Sequence, residues 1–96
     1  MRKAVKEMLR LGPMPAETAA DVKTVEQWEK LLHQIQPLVS KHEAEALLIV
    51  FGPDSFFGLA WTLVNLIETV PGWPSTVSIP ESEKEWIQLL KIRALG

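Results

Sequence analysis

Glu68 is the residue of this sequence that could most readily take part in chemistry. It lies in Leu66-Ile67-Glu68-Thr69-Val70, at the end of a strongly apolar segment. A buried carboxylate must be paired, hydrogen-bonded or protonated, and one near a helix C-terminus also meets the unfavourable end of the helix dipole. We therefore expect a specific partner for Glu68: a loop amide, a Lys or an Arg. Its role is either a structural hydrogen bond or that of a catalytic acid, which would need a second titrating group.

Small or polar residues form a stripe along the same apolar segment, at steps of three and four residues. The stripe consists of Ser55, Gly58, Thr62, Asn65 and Thr69. Residues at this spacing share one face of a helix. The stripe either lets another helix pack closely or lines a groove that holds a ligand or a side chain of a partner.

The sequence contains four tryptophans and no tyrosine. Trp28, Trp61 and Trp86 each fall on an apolar helical stripe, so we predict that they belong to the core. Trp73 lies in the turn Pro71-Gly72-Trp73-Pro74 and is the tryptophan we expect to be partly exposed, as tryptophans at interaction hot spots are. The candidate contacts to a partner or ligand are Asp54, Ser55, Asn65, Glu68 and Trp73.

Groups that usually hold metals or act as nucleophiles are scarce. The chain has no cysteine and two histidines, and His42 with Glu45, at i, i+3 spacing, does not complete a metal site. The sequence shows no glycine-rich phosphate loop and no nucleophile elbow. It therefore predicts no metal, no cofactor and no enzymatic activity.

The elements that must position these residues are helices separated by prolines and glycines. Apolar residues recur at helical spacing in most segments, and only Thr76–Ile79 alternates like a strand. The predicted helices span residues 1–11, 24–36, 41–51, 55–69 and a segment that starts at Pro80, with a short helical turn at 15–21. Thr24 with Gln27 has the spacing of a capping box and marks the start of the second helix.

Two further helix starts are marked by capping residues. Ser40 with Glu43 repeats the capping-box spacing, and Asp54 is placed to cap the 55–69 helix. That helix is apolar nearly all round, which is typical of a buried helix. The predicted fold is a single all-α domain of residues 1–96, a compact bundle of four to five helices around this buried central helix.

Charge is distributed unevenly along the chain. Residues 1–12 carry four bases and one acid, residues 91–96 carry two bases, and residues 13–90 carry eleven acids and four bases. This acidic body disfavours nucleic-acid binding, which needs clustered cations, and suits a basic protein partner. Gly52-Pro53-Asp54 divides the apolar stretch 46–67, so we expect no membrane span. With no cysteine and no secretory signal, we expect a cytoplasmic protein.

The segment Phe51–Leu63, followed by Leu66-Ile67-Glu68-Thr69 and Pro71, resembles small, mostly uncharacterised bacterial helical proteins. Some of these are HEAT-like, and some look like immunity proteins of polymorphic toxin systems. The resemblance covers about residues 44–74. It implies an all-helical fold more strongly than a role, and it transfers no functional residue.

Three hypotheses for function follow. The leading one is a non-enzymatic interaction protein, in the form of a bacterial immunity protein that masks a basic toxin. The second is a self-associating helical domain with a structural role, whose excess apolar surface is buried in a homodimer. The third is a small-ligand or enzymatic site around Asn65 and Glu68.

Overall fold

The structure, a computed structural model, describes residues 1–95. This part of the chain contains five α-helices. They are α1 (Lys3–Leu11), α2 (Val22–His33), α3 (Lys41–Ile49), α4 (Leu59–Ile67) and α5 (Glu85–Leu95), with a 3₁₀ turn at Glu17–Ala19. No strand occurs in residues 1–95, and Thr76–Ile79 lies in a loop. The predicted all-α bundle is confirmed. None of these helices is long and apolar enough to cross a bilayer.

α1 buries one face and ends at a glycine. Ala4, Val5 and Met8 are buried, at the spacing of one helical face. Gly12 has a φ of 82°, and its amide donates hydrogen bonds to carbonyl oxygens of the last turn of α1. Glycine reaches this positive φ without a steric penalty, which lets the chain leave the helix at Gly12.

α2 begins two residues before the predicted start at Thr24. Its N-cap is Asp21, whose carboxylate accepts a hydrogen bond from the Thr24 amide at 2.8 Å. The predicted capping box of Thr24 with Gln27 is therefore wrong. A carboxylate at the N-cap also meets the favourable end of the helix dipole, which a hydroxyl cannot exploit. Hydrogen bonds from the side chain and the amide of Thr24 lower the pKa of Asp21.

α3 is started by the predicted capping box. The Ser40 hydroxyl accepts a hydrogen bond from the Glu43 amide at 3.1 Å, and the Glu43 carboxylate accepts one from the Ser40 amide at 3.0 Å. The helix ends at Ile49, two residues before the predicted end at Phe51. There the ammonium group of Lys84 donates to the carbonyl oxygens of Ile49 and Phe51, at 3.3 and 2.9 Å. A cation at this position stabilises the C-terminal end of a helix.

α4 is shorter than the predicted helix 55–69, because the chain is left-handed before Leu59. Gly58 is the N-cap, with a φ of 85°, and the two preceding phenylalanines also have positive φ. Asp54 therefore does not cap this helix, contrary to the prediction. α4 packs against α2 and α3. Its fully buried residues are Ala60, Leu63, Val64 and Ile67.

α5 begins five residues after the predicted start at Pro80. The Lys84 amide donates to the Ser82 hydroxyl at 3.1 Å, and this turn precedes the helix. Trp86 fixes the helix to the core. Its ring is stacked with Phe51 at a centroid distance of 6.4 Å and meets Trp61 edge-on at 5.0 Å. Ile87 and Leu90 are the other buried residues of the helix.

Gly52 allows two loops to approach each other closely. A Cβ atom on Gly52 would lie 2.1 Å from the carbonyl oxygen of Met14, so only glycine fits there. The Met14 amide donates to the carbonyl oxygen of Val50 at 3.0 Å, and the Met14 side chain is buried. This contact brings Glu17 on the first loop beside Asp54 on the second.

Candidate functional site

The structure divides the five predicted contact residues among three places. Asp54 and Ser55 lie together in the turn before α4, while Asn65 lies on α4 and Glu68 is its C-cap. Trp73 lies in the loop after α4 and packs, half-buried, against the core. It is partly exposed, as predicted, but Trp61 is more exposed, at 45%. These residues do not form one site, and the turn before α4 is the place where their contacts converge most closely.

The carboxylates of Asp54 and Glu17 hold that turn by accepting hydrogen bonds from it and from the Glu17 backbone. One carboxylate oxygen of Asp54 accepts from the Phe56 amide at 3.0 Å, and the other accepts from the Glu17 amide at 2.9 Å. The Glu17 carboxylate accepts from the Ser55 hydroxyl at 2.8 Å and from the Phe57 amide at 3.2 Å. Three of these bonds join residues 37 to 40 positions apart. Tertiary contacts therefore set the shape of the turn.

The backbone of this turn is left-handed at three consecutive residues. The φ angle is 46° at Phe56, 56° at Phe57 and 85° at Gly58. A residue other than glycine held in this region costs about 1 to 3 kcal/mol, and bulky side chains seldom adopt it. The hydrogen bonds that the carboxylates of Glu17 and Asp54 accept offset that cost.

The two phenylalanines of the turn have opposite environments. The Phe56 side chain is fully buried, whereas Phe57 is 57% exposed. Their ring centroids are 5.7 Å apart in an edge-to-face arrangement. Phe56 thus fixes the turn to the core, and Phe57 is presented to solvent.

Phe57 lines a groove of 240 Å³ together with the start of α2. The other lining residues are Ala20, Asp21, Val22, Val25 and Glu26. We name these six residues the Phe57 surface. Val22 is 72% exposed, so the surface carries two large apolar side chains that no residue in 1–95 covers.

The Phe57 surface is also acidic. Asp21 and Glu26 are two of its six residues, and none of the six is basic. Asp21 is ionised at neutral pH even at its ordinary pKa, and its hydrogen bonds from Thr24 lower that pKa further. An apolar floor beside carboxylates is complementary to a partner that carries an apolar side chain next to a cation.

Glu68 has a specific partner, as predicted, and the partner is Arg93 on α5. The Nε and Nη2 groups of Arg93 donate to the two carboxylate oxygens of Glu68, at 2.7 and 2.8 Å, which is a bidentate pair. These hydrogen bonds, with the charge of Glu68, raise the pKa of Arg93. The guanidinium also lies 6.0 Å from the centroid of the Trp61 ring. Glu68 therefore links α4 to α5.

Trp61 was predicted to be a core residue, but it is 45% exposed. The prediction is wrong because α5 covers only part of the ring, through the edge-on contact with Trp86 and the guanidinium of Arg93. A groove of 360 Å³ lies beside Trp61. Its other lining residues are Glu85, Trp86, Gln88, Leu89 and Ile92. We name these six residues the α4–α5 groove, which shares no residue with the Phe57 surface.

The small and polar stripe of α4 faces solvent for much of its length. Gly58 and Asn65 are exposed, and neither lines the Phe57 surface or the α4–α5 groove. Thr69 has a structural role, because its hydroxyl accepts from the Val39 amide at 3.2 Å and donates to the carbonyl oxygen of Leu66 at 2.6 Å. The stripe thus divides into a helix start, a solvent-facing middle and a loop contact.

Phe57 and Val22 were not among the predicted contact residues. Phe57 belongs to an apolar run that fits a helix, and an apolar pattern alone does not report which side chain stays uncovered. Glu17, which holds the turn, carried no signal of its own. The local signal that could have found the turn is Asp54-Ser55 before two phenylalanines and a glycine, since Asp, Ser and Gly favour turns.

A second unpredicted feature is the buried carboxylate of Glu43, which is 5% exposed. Besides the Ser40 amide, it accepts from the Arg2 amide at 3.2 Å and lies 3.4 Å from the Arg2 guanidinium. Burial raises the pKa of Glu43, but the amides of Ser40 and Arg2 and the charge of Arg2 outweigh it and leave the pKa below its ordinary value. We name these three residues the Glu43 junction.

Arg2 links the Glu43 junction to the segment between α2 and α3. Its guanidinium donates to the carbonyl oxygens of Gln36 and of Leu38, the latter at 2.7 Å. The spacing of Ser40 and Glu43 marked the helix start, but nothing in the local sequence indicated a contact with Arg2, which is 41 residues from Glu43.

Within residues 1–95, no three Asp, Glu or His side chains lie close enough together to hold a metal ion. Comparisons with protein-family models, curated proteins and solved structures found no match. The resemblance to immunity-like helical proteins therefore stays a prediction, and a functional argument has to rest on the surfaces described above.

Proposed function

We propose that this protein is a non-enzymatic interaction domain that binds a basic partner protein through the Phe57 surface. An immunity protein that masks a basic toxin is the form of this function that the sequence resemblance favours. The observation that carries the proposal is Phe57 itself, a large aromatic side chain that is 57% exposed on a left-handed backbone.

The left-handed backbone of Phe57 lowers the stability of the fold, and burial of its ring does not compensate for this. A left-handed phenylalanine is strained, and its exposed ring gains little from the hydrophobic effect. The neighbouring Phe56 shares the strain but is fully buried, so its ring contributes to the core. Strain at an uncovered aromatic residue is better explained by binding than by folding, because strained residues cluster where ligands are held.

The charge of the proposed partner follows from the carboxylates around Phe57. Asp21 and Glu26 line the surface, and the chain between residues 13 and 90 has an excess of seven acids over bases. Lys23 is exposed on the same helix but does not line the groove. A basic partner would gain both electrostatic steering and specificity from this arrangement.

The experiment compares three tagged proteins: the wild type, Phe57→Ala and Ile49→Ala. Ile49 is a matched control, because it is 58% exposed, close to the 57% of Phe57, and it lies on α3 and does not line the Phe57 surface. Each protein is used to capture partners from an extract of cells that encode it. The captured protein is then purified and titrated against all three by calorimetry.

We expect a captured protein with a net positive charge that binds the wild type and Ile49→Ala equally and Phe57→Ala at least about tenfold more weakly, since aromatic interface residues carry much of the binding energy. Binding should also weaken as salt increases. A purified partner that binds Phe57→Ala as it binds the wild type would contradict the Phe57 surface. An acidic partner would contradict the proposed electrostatics.

A further inference from the structure

Helix α5 carries apolar side chains on two sides, and only one side is covered by the bundle. Trp86, Ile87 and Leu90 are buried. On the other side Ile92 is 68% exposed and Leu95 is 85% exposed. An amphipathic helix normally presents polar residues to water, so this second apolar side needs an explanation.

The uncovered side of α5 continues into the α4–α5 groove. Leu89 and Ile92 line the groove, with Glu85 at the start of the helix and Trp61 contributed by α4. Residues 85, 89 and 92 are spaced by four and three, so they lie along one helical face. The groove and the helix therefore form one apolar surface, with a carboxylate at its N-terminal end.

A base marks the other end of this surface. Arg93 lies over Trp61, eight residues after Glu85. At a rise of 1.5 Å per residue, the two are about 12 Å apart along the helix axis. Arg93 uses Nε and Nη2 to bind Glu68, and its Nη1 group donates to no acceptor within residues 1–95.

We propose that a second copy of this chain docks on this face, with its α5 antiparallel to the first. In that arrangement Glu85 of each copy meets Arg93 of the other, and Leu89 meets Leu89 at the two-fold axis. The two helix dipoles then oppose each other, which is favourable. Ile92 of each copy lies against the groove beside Trp61 and Trp86 of the other.

Charge complementarity identifies the occupant as a second copy rather than a different protein. Glu85 offers a carboxylate to a cation at one end, and Arg93 offers its Nη1 group, beside the pair with Glu68, to a carboxylate at the other. A surface with an acid at one end, a base at the other and apolar residues between them is complementary to its own antiparallel image. A two-fold contact requires this property, because the same patch serves both subunits.

The test uses Glu85→Lys and Arg93→Glu, each measured alone and in a one-to-one mixture by sedimentation velocity. Each variant alone places like charges opposite each other at both ends of the interface. The mixture restores opposite charges at both ends, because Lys at 85 then meets Glu at 93 and Arg93 meets Glu85. Lys23→Glu is the control, since it reverses an exposed charge on α2 that does not line the α4–α5 groove.

We expect a wild-type dimer, a dimer of Lys23→Glu, at least about tenfold weaker dimerisation of each charge variant alone, and recovery of a heterodimer in the mixture. Ile92→Ser, at a residue exposed enough to leave the fold intact, should also weaken the dimer. A wild-type protein that is a monomer at millimolar concentration would overturn the proposal. So would dimerisation that neither the charge variants nor Ile92→Ser affects, or a mixture that shows no recovery.

This dimer is separate from the proposed partner binding. The Phe57 surface and the α4–α5 groove share no lining residue. Phe57→Ala should therefore reduce partner binding and leave the dimer intact, and Ile92→Ser should do the reverse. The failure of one proposal would thus be distinguishable from the failure of the other.

Discussion

The Glu43 junction and the turn around Phe57 are built from the same kind of bond, yet they put it to different uses. At the junction, the Glu43 carboxylate accepts from the amides of Ser40 and Arg2 and is 5% exposed. At the turn, the carboxylates of Glu17 and Asp54 accept from three amides and a hydroxyl. The Glu43 junction starts a helix and closes the core. The turn keeps Phe56 and Phe57 left-handed and leaves the Phe57 ring uncovered.

The difference lies in the backbone that each carboxylate holds. A helix start is a favourable conformation, so a carboxylate that caps it adds to stability. A left-handed phenylalanine is unfavourable, so the hydrogen bonds that the Glu17 and Asp54 carboxylates accept offset this cost and leave little net stabilisation. Loss of the Glu43 carboxylate should mainly reduce stability, and loss of the Glu17 carboxylate should mainly reduce partner binding.

The largest expected contrast is between the adjacent residues Phe56 and Phe57. Phe56→Ala should lower the free energy of unfolding by about 3 to 5 kcal/mol, as truncation of a buried aromatic residue does. Phe57→Ala should change it by less than about 1 kcal/mol, because the ring is largely exposed. Urea unfolding of the two variants measures both values. Equal losses would show that Phe57 is a core residue and would contradict its assignment to binding.

The two carboxylates should also differ. Glu43→Ala should cost about 2 kcal/mol of unfolding free energy, since it removes a cap and leaves two part-buried amides without an acceptor. Glu17→Ala should cost less stability, because the turn can relax, and should weaken partner binding through the loss of the Phe57 geometry. Urea unfolding and calorimetric titration of both variants test this. The comparison fails if Glu17→Ala is the more destabilising change or leaves binding intact.

Phe57→Gly sharpens the comparison further. Glycine adopts the left-handed region freely, so we expect the unfolding free energy to rise by up to about 1 kcal/mol after the greater flexibility of unfolded glycine is counted. Partner binding should fall at the same time. Thermal unfolding of the wild type, Phe57→Gly and Phe57→Ala provides the measurement. If Phe57→Gly were less stable than Phe57→Ala, the backbone at this position would not be strained.

The smallest expected effect is a pH dependence at the Glu43 junction. The pKa of Glu43 lies below its ordinary value of 4.5, so the folded protein binds this proton less readily than the unfolded chain does. The stabilisation is therefore complete above the unfolded-state pKa and is lost as the pH falls through the folded-state pKa. Glu43→Gln should be less stable than the wild type near about pH 7, with a difference that narrows towards about pH 3. A difference independent of pH would exclude the charge as its source.

The parts of the fold that were predictable are those set by local sequence. The capping box of Ser40 and Glu43 joins residues three apart, and its start of α3 was predicted correctly. The end of α1 before Gly12 follows from the local sequence in the same way. Each of these features depends on neighbours within a few positions, which a sequence displays directly.

The turn before α4 could not be predicted, because its cause lies elsewhere in the chain. Residues 55–69 have an apolar pattern that fits a continuous helix, and phenylalanine does not favour a left-handed backbone. Glu17, nearly forty residues away, overrides both preferences once Gly52 has allowed the two loops to meet. Tertiary hydrogen bonds of this kind leave no periodic signal in the sequence.

The role of Glu68 could be predicted only in part. The apolar residues around it and its place at a helix end indicated that it needs a partner, and Arg93 provides one. The identity of that partner depends on how α5 packs against α4, which the sequence does not encode locally. The same packing leaves Trp61 half-exposed, although its helical spacing predicted a core residue.

The measurement that tests the central claim most directly is a calorimetric titration of the purified partner into Phe57→Gly, with thermal unfolding recorded on the same sample. Our account predicts a melting temperature equal to or above that of the wild type, together with an affinity at least about tenfold weaker, or about 1.4 kcal/mol. Unchanged affinity would show that Phe57 is not a contact and would contradict the account. Weaker binding with a lower melting temperature would show that the turn serves folding and would contradict it as well.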